Sequence, residues 1–343
     1  MALIFMLFAA GFAALSNYFM RRSIDAGGTT RAYLAIQMAV ALLIVLLLGP
    51  AKNPGTSVNL PIALLGMVSG LLLALMLYML GKALEKGPPG LTFSILSSAT
   101  VMPSVVLAII YGAGLGCNYT VAHGIGSLLV ILGLFWAGKG LSGMQDKRRW
   151  IQFSALMFFL HVALLVIFQW KGILTNLPAP EIVASAFTKE VVTSQWYLPS
   201  LYLTAMLFQL VIYFRNETRW PNPKEWVCGV GGGFGNGLCT YLMMLGTETA
   251  LPMERAVMFP LFSIGTIIFS NLWSQLLYRE KVHWKAAQLC VLGILVGTVN
   301  WGMVDPFAPD ALGQKESTAQ KEESRNEDRA SDEIRRDVAE NES

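Results

Sequence analysis

Isolated charged and polar residues within long apolar stretches are the features of this sequence that could bind a small molecule. Glu254 and Arg255 begin one such stretch. We predict that Arg255 binds an anionic group of a solute and that Glu254 binds a cationic group or a coupling proton. The alternative is a pair at a membrane interface, whose charges neutralise each other or extend into water. At about 100° per residue, Arg255 shares one narrow helical face with Thr266 and Ser270, which predicts a polar stripe leading inward from the arginine.

A second apolar stretch carries hydroxyl groups instead of charges. Ser97 and Thr100 are predicted to line a cavity, and the alternative is that these small residues let helices pack closely. A shift of 163 residues aligns Thr100 with Ser263, which follows Arg255 in the other stretch. The two stretches are therefore predicted to form matching walls of one central site.

Single polar residues in three further stretches complete the candidate site. His161 lies in the middle of an apolar run, where it could couple protons, bind substrate or make a packing hydrogen bond. Asn17 and Asn236 need hydrogen-bond partners if they are buried, either from another helix or from a ligand. The predicted substrate-binding residues are Asn17, Ser97, Thr100, His161, Asn236, Glu254, Arg255 and Ser263.

The composition predicts that these residues lie within a membrane. The chain has 343 residues, of which 54% are hydrophobic and 14% are charged, whereas soluble domains have about 25% charged residues. Residues 305–343 hold 6 Lys and Arg against 12 Asp and Glu, so residues 1–304 hold 19 against 10 and a net charge of +9. Because charge inside a bilayer is costly, we predict that residues 1–304 are an all-α, polytopic membrane protein. Residues 305–343 are too polar to bury a core and are predicted to be disordered.

Ten apolar segments are each long enough to cross a bilayer, which takes about 20 residues in a helix. A basic linker, 142–150, separates five segments in residues 1–141 from five in residues 151–304. The two halves are related, since the shift of 163 residues also aligns Pro89 with Pro252. An odd number of helices in each half reverses the direction of insertion, so we predict two inverted five-helix repeats with about ten transmembrane helices.

Two glycine patterns predict close helix contacts. Gly66 and Gly70 form a GxxxG pair, which we expect to pack within the chain rather than between chains. The run at 229–237 reads GVGGGFGNG and predicts either a close contact or a flexible, broken helix near the site. A short surface helix is predicted at 181–192.

Two hairpins of apolar segments, 246–301 and less closely 81–140, resemble the drug/metabolite transporter superfamily in its ten-helix form. The later hairpin has the family's short charged turn, here Arg279-Glu280-Lys281, before a final helix that contains glycine. Ser16-Asn17, followed by Arg21-Arg22, resembles the family's first helix. The resemblance implies secondary transport and cytoplasmic termini. By contrast, 15 of the 19 Lys and Arg residues before position 305 lie in odd-numbered loops, a bias that puts both termini outside.

We therefore predict a multi-pass secondary transporter of the cell (inner or plasma) membrane. It moves a small polar metabolite, such as an amino acid or a nucleotide-like solute, by alternating access. Its expected partners are this substrate and the lipid bilayer; no enzymatic activity, cofactor or nucleic-acid partner is expected, and a coupling ion and the oligomeric state stay open. The alternatives are a membrane-embedded enzyme acting on a lipid-linked substrate, which would need clustered carboxylates, histidines or a metal, and a membrane scaffold that uses the charged tail.

Overall fold

The computed structural model describes residues 1–50, 58–111, 121–138, 146–176, 187–249, 252–279 and 284–298. Within these ranges every regular element is a helix, which confirms the all-α prediction there. The helices are α1 (Ala2–Asp25), α2 (Thr30–Leu48), α3 (Leu60–Lys86), α4 (Pro89–Ser98), α5 (Met102–Tyr111), α6 (Val121–Gly138), α7 (Lys147–Asn176), α8 (Lys189–Val192), α9 (Tyr197–Asn216), α10 (Pro223–Thr249), α11 (Pro252–Tyr278) and α12 (Trp284–Thr298).

Five of the described helices are long and apolar enough to cross a membrane, which is compatible with a membrane protein. They are Ala2–Asp25, Thr30–Leu48, Leu60–Lys86, Lys147–Gly172 and Tyr197–Asn216. Two shorter apolar helices cover Leu261–Leu277 and Ala287–Val296. Each of the ten predicted apolar segments coincides with helix in the described residues.

Met1–Val299 forms one compact unit. The predicted disordered tail, 305–343, and most of the basic linker lie outside the described residues. The short helix predicted at 181–192 is described only over its end, where α8 covers Lys189–Val192. Those three predictions therefore stay predictions.

Glycines bring α10 against α2 with almost no space between the two backbones. A Cβ atom added at Gly233 would lie 2.6 Å from the Val40 Cβ and 2.7 Å from the Gln37 carbonyl oxygen. One turn earlier, a Cβ at Gly229 would lie 2.7 Å from the Ile36 Cβ. Because α10 is helical throughout Pro223–Thr249, the prediction of close contact is confirmed and that of a broken helix is wrong.

The GxxxG pair of α3 packs against α9 in the same way. A Cβ at Gly66 would lie 2.6 Å from the Tyr197 carbonyl oxygen, and one at Gly70 would meet the Leu201 carbonyl oxygen and lie 2.9 Å from the Thr204 Cβ. This pair therefore packs within the chain, as predicted from the sequence. Small residues commonly permit this approach between apolar helices.

The remaining contacts assemble the helices into one bundle. α1 packs on α10 and α11, and α7 packs on α3 and on the α4–α5 pair. α2 packs on α9 and α6 on α12, while α11 also touches α4. The polar residues of α1, α4, α7, α10 and α11 are thereby brought near one another.

The fourth apolar segment is not one continuous α-helix. A 3-10 turn at Ala99–Val101 separates α4 from α5. Pro103 accounts for the break, because proline has no N–H to donate and its ring crowds the carbonyl group four residues earlier, that of Ala99. The matching position in α11 is Thr266, and α11 stays helical from Pro252 to Tyr278.

Glu225, in the first turn of α10, joins two loops at one end of the bundle. Its buried carboxylate accepts hydrogen bonds at 2.7 and 2.8 Å from Arg219, in the loop between α9 and α10. The backbone N–H of Asn222 donates at 2.6 Å and caps α10. The backbone N–H of Thr29 donates at 2.7 Å and ties in the loop between α1 and α2.

Other polar contacts attach further helix ends to this one. The Thr30 hydroxyl, at the start of α2, donates a hydrogen bond to Glu85 near the end of α3. Lys86, the last residue of α3, pairs with Asp146 just before α7 at 2.7 Å. The contacts of Glu225, Thr30 and Lys86 therefore place five of the bundle's charged helix ends in one layer, which we call the charged end.

We predict that Gly233→Ala destabilises the protein. Overpacking costs about 1–3 kcal/mol, which outweighs the gain of about 1 kcal/mol that alanine brings over glycine inside a helix. The matched control is Gly172→Ala in α7, where an added Cβ would meet no heavy atom within 4 Å. Thermal unfolding in detergent should show a lower Tm for Gly233→Ala and an equal or higher Tm for Gly172→Ala. Equal Tm changes in both variants would contradict the close contact.

We also predict that Glu225 makes stability depend on pH. Burial alone would raise the pKa of this carboxyl, but the hydrogen bonds from Arg219, Thr29 and Asn222 outweigh burial and hold the pKa below that of an ordinary glutamate. A lowered pKa in the folded state stabilises the protein above the unfolded pKa of about 4.3, and this stabilisation is lost as the pH falls towards the folded value.

Glu225→Gln should therefore lower the free energy of unfolding by about 1–3 kcal/mol near neutral pH. The difference from wild type should shrink as the pH is lowered to about 3. Unfolding measured across this pH range checks both statements. A constant difference between the two proteins at every pH would show that the Glu225 charge is not responsible.

Candidate functional site

A cavity of about 130 Å³ lies in the bundle, many times the space that one water needs. Its lining includes Leu73 of α3, Leu164 of α7 and Thr266 of α11, which stand near the middle of those helices. Residues of α1, α2, α4, α9 and α10 complete the described lining. The cavity therefore lies at mid-depth, between the two ends of the bundle.

Six of the eight predicted site residues line this cavity. They are Asn17, Ser97, Thr100, His161, Asn236 and Ser263. They come from five separate helical segments, and residues before and after position 142 both contribute. Whether these residues bind a solute stays a prediction.

Glu254 and Arg255, the two charged members of the predicted site, stand in the first turn of α11, which begins at Pro252. Ser263 lies eight residues beyond Arg255, so the two backbone positions are about 12 Å apart along the helix. The side chains of Glu254 and Arg255 lie outside the described residues, and their predicted roles stay predictions. Thr266, from the predicted stripe, lines the cavity, and Ser270 is buried on the same helix.

The break between α4 and α5 forms a polar part of the cavity wall. His161 of α7 is hydrogen-bonded through Nδ1 to the Leu96 carbonyl oxygen at 2.8 Å. The Thr100 hydroxyl donates to the Ser97 carbonyl oxygen at 2.8 Å. Carbonyl groups freed by the local change in helix type thus accept side-chain hydrogen bonds, which is how interrupted membrane helices commonly satisfy their backbone.

A second polar group lies where α1 meets α2. Gln37 donates a hydrogen bond to the Ser16 hydroxyl at 2.7 Å. Tyr33 donates to the Ser16 carbonyl oxygen at 2.9 Å. These bonds fix one end of the Gln37 amide beside the cavity.

A chain of hydrogen bonds joins α9 to α10. Tyr202 is hydrogen-bonded to the Thr240 hydroxyl at 2.6 Å, and Thr240 donates to the Asn236 carbonyl oxygen at 3.0 Å. All three residues line the cavity. Because the Thr240 proton goes to Asn236, Tyr202 is the donor in the bond to Thr240.

Two amide groups of the lining are incompletely bonded in the described structure. Gln37 is only 3% exposed, and its Oε1 atom has no hydrogen-bond partner. The Nδ2 atom of Asn236 is likewise buried without a partner. Buried polar atoms normally have partners, so each such exception calls for an explanation.

The rest of the lining is apolar. Leu73, Met76 and Leu77 of α3 form one part, and Leu164 and Phe168 of α7 belong to another. A mainly apolar pocket with a few polar groups is the usual form of a small-molecule site.

Gln37, Tyr202 and Thr240 were not among the residues predicted for the site. Gln37 had a signal in the sequence, since it is the one amide in an apolar run, as His161 is the one histidine in its run. Thr240 lies four residues after Asn236, on the same helical face. Tyr202 had no comparable signal, because tyrosine also occurs where helices meet lipid headgroups.

Among the described residues, no group of three or more His, Cys, Asp or Glu side chains is placed to hold a metal ion. No protein-family model matches this sequence, and no curated protein is similar to it. A solved structure described only as the crystal structure of a protein is similar in fold. The TM-score is 0.55 and the sequence identity 14%, over 87% of this chain and 99% of the other. At that identity, the likeness concerns the fold alone.

We predict that water-soluble thiol reagents reach the cavity. In a variant with the four native cysteines replaced, Asn17→Cys should be modified by a small methanethiosulfonate reagent, because Asn17 is half-buried and lines the cavity. Ser154→Cys is the control, since Ser154 is 3% exposed and is absent from the described lining. Mass spectrometry of the folded protein measures both. Protection of Asn17→Cys would show that the cavity is closed to solutes.

Proposed function

We propose that this protein is a secondary transporter for a small polar metabolite, and that it belongs to the drug/metabolite transporter type with ten membrane-crossing helices in two inverted repeats. The observation that carries the proposal is the mid-depth cavity, where predicted site residues from both halves of the chain meet. Binding sites near the bilayer midplane, between two repeats, are typical of such transporters.

The helix boundaries support the proposed repeat. α3 covers Leu60–Lys86 and α10 covers Pro223–Thr249, so both ends differ by 163 residues. The starts of α4 and α11, at Pro89 and Pro252, differ by the same number. So do the starts of α6 and α12. Four pairs of boundaries thus follow the shift found in the sequence.

The helix contacts support it at the level of single residues. The same shift relates Gly70 to Gly233, and both glycines face a carbonyl oxygen and a Cβ three residues later on the partner helix. For Gly70 these groups belong to Leu201 and Thr204. For Gly233 they belong to Gln37 and Val40. The α3–α9 and α10–α2 contacts are therefore two copies of one packing arrangement.

The distribution of polar bonds is consistent with alternating access. The charged end is held by Glu225, Arg219 and the Lys86–Asp146 pair, whereas the lining of the cavity is held mainly by neutral hydrogen bonds. Rocking of the repeats would have to break the bonds of the charged end while the site residues stay on their helices. Arg255 and Glu254 remain candidates for charged contacts to the substrate, and Arg255→Ala tests that role.

Filling the cavity should abolish transport. Leu164→Trp places a larger side chain at a buried lining position. Leu207→Trp makes the same change at a residue of α9 that is 52% exposed. We expect uptake of a metabolite mixture into proteoliposomes, followed by mass spectrometry, to fall at least about tenfold with Leu164→Trp, since a blocked site loses more than the about 1.4 kcal/mol that tenfold represents.

Leu207→Trp should transport as wild type does. If both variants have the wild-type Tm and both keep full uptake, the cavity is not the transport site. If wild type moves no metabolite from a broad mixture, the alternatives of a membrane-embedded enzyme and a scaffold replace the transporter.

A further inference from the structure

The polar groups of the described cavity lining are neutral. They are amides, hydroxyls and one imidazole, contributed by residues such as Asn17, Gln37, Ser97 and His161. A solute that carries a net charge into such surroundings loses its hydration without gaining a counter-charge, whereas a neutral polar solute can exchange its hydrogen bonds with water for bonds to these groups. The described lining therefore suits an uncharged ligand.

The hydrogen bond of His161 determines what this residue can offer. The Leu96 carbonyl oxygen can only accept, so Nδ1 of His161 carries the proton in their 2.8 Å bond. In the uncharged ring, Nε2 is then an acceptor and is the ring's remaining hydrogen-bonding atom. A ligand bound beside His161 is expected to present an N–H or O–H donor.

The incompletely bonded amides call for further hydrogen bonds. Oε1 of Gln37 is buried beside the cavity without a partner, while the other end of this amide is held by Ser16. The Ser16 hydroxyl can donate or accept, so the free end of Gln37 acts as either an acceptor or a donor, and both require a partner. The buried Nδ2 atom of Asn236 adds a donor. A ligand with both donors and acceptors would satisfy these groups.

The apolar part of the lining favours a flat body on the same ligand. Phe168 and Phe262 contribute aromatic rings, and Met20, Met76 and Met243 contribute flexible thioethers. Aromatic rings pack well against planar groups, and methionine adapts to the shape that it meets.

We infer, on the premise of the proposed transport function, that the cavity takes an uncharged planar solute with N–H donors and carbonyl acceptors, of the nucleobase or aromatic-amide class. Organic anions held by Arg255 are the opposing class. The two classes differ in a single group when a neutral compound is compared with its own carboxylate.

Matched probes separate the two classes. Binding of nicotinamide and nicotinate, and of uracil and orotate, is measured on the full chain in nanodiscs by isothermal titration calorimetry. We expect the neutral member of at least one pair to bind at least about tenfold more tightly than its anionic partner, as expected for a site that matches one set of polar groups.

A variant of His161 tests the predicted acceptor. His161→Asn keeps an amide N–H in reach of the Leu96 carbonyl oxygen but lacks the Nε2 atom. It should retain the wild-type Tm and weaken binding of the neutral probe about three- to tenfold, the range for one hydrogen bond. Asn17→Leu, a change of similar size at another lining residue, provides the same test if His161→Asn does not fold.

The outcomes separate this inference from the transport function. Equal or tighter binding of the anion in both pairs, or no binding of either neutral probe, overturns the inference, and counterflow with other metabolites then decides on transport by itself. If the binding of an anion falls in Arg255→Ala, Arg255 is the substrate-binding residue instead. Neutral binding without movement of that probe into proteoliposomes supports the ligand class and overturns transport of that compound.

Discussion

The fold depends on the close approach of helix backbones at glycine. At Gly70 and Gly233 an added Cβ would collide with a carbonyl oxygen on the neighbouring helix. Apolar helices in lipid gain little from the hydrophobic effect when they associate, so dense packing between small residues has to hold them together. The two glycine contacts fix α3 against α9 and α10 against α2, and each of these four helices contributes residues to the cavity. The width of the cavity therefore follows from glycines that lie outside it.

A local interruption in the fourth segment supplies part of the chemistry. Pro103 removes one backbone donor, and the resulting 3-10 turn directs the Leu96 and Ser97 carbonyl groups towards side chains. His161 takes one of these carbonyl groups, and that bond fixes which of its nitrogens carries the proton. The related helix α11 has Thr266 where α5 has Pro103, and it stays continuous. Two halves with the same packing thus differ at the position where they face the cavity, which lets one site offer unlike groups from its two sides.

Charge and hydrogen bonding are separated along the bundle. Carboxylates and cations meet in the charged end, where Glu225 accepts four hydrogen bonds and Lys86 pairs with Asp146. The described lining at mid-depth uses amides, hydroxyls and His161. Ion pairs are cheaper to form and to break near water than at the centre of a membrane. This arrangement suits a protein whose end contacts open while its central site keeps its hydrogen-bonding groups.

The sequence by itself determined the helices and much of the candidate site. Long apolar runs with prolines at their starts, such as Pro89 and Pro252, located the segments, and polar residues within such runs have to face protein or water, which selected His161 and Asn236 correctly for the cavity lining. Only the tertiary structure decided which helices are neighbours and which atoms remain free. Tyr202 reached the cavity, and His161 found a carbonyl oxygen 65 residues away, because a helix fixes the direction of each side chain while packing against other helices decides what that direction faces.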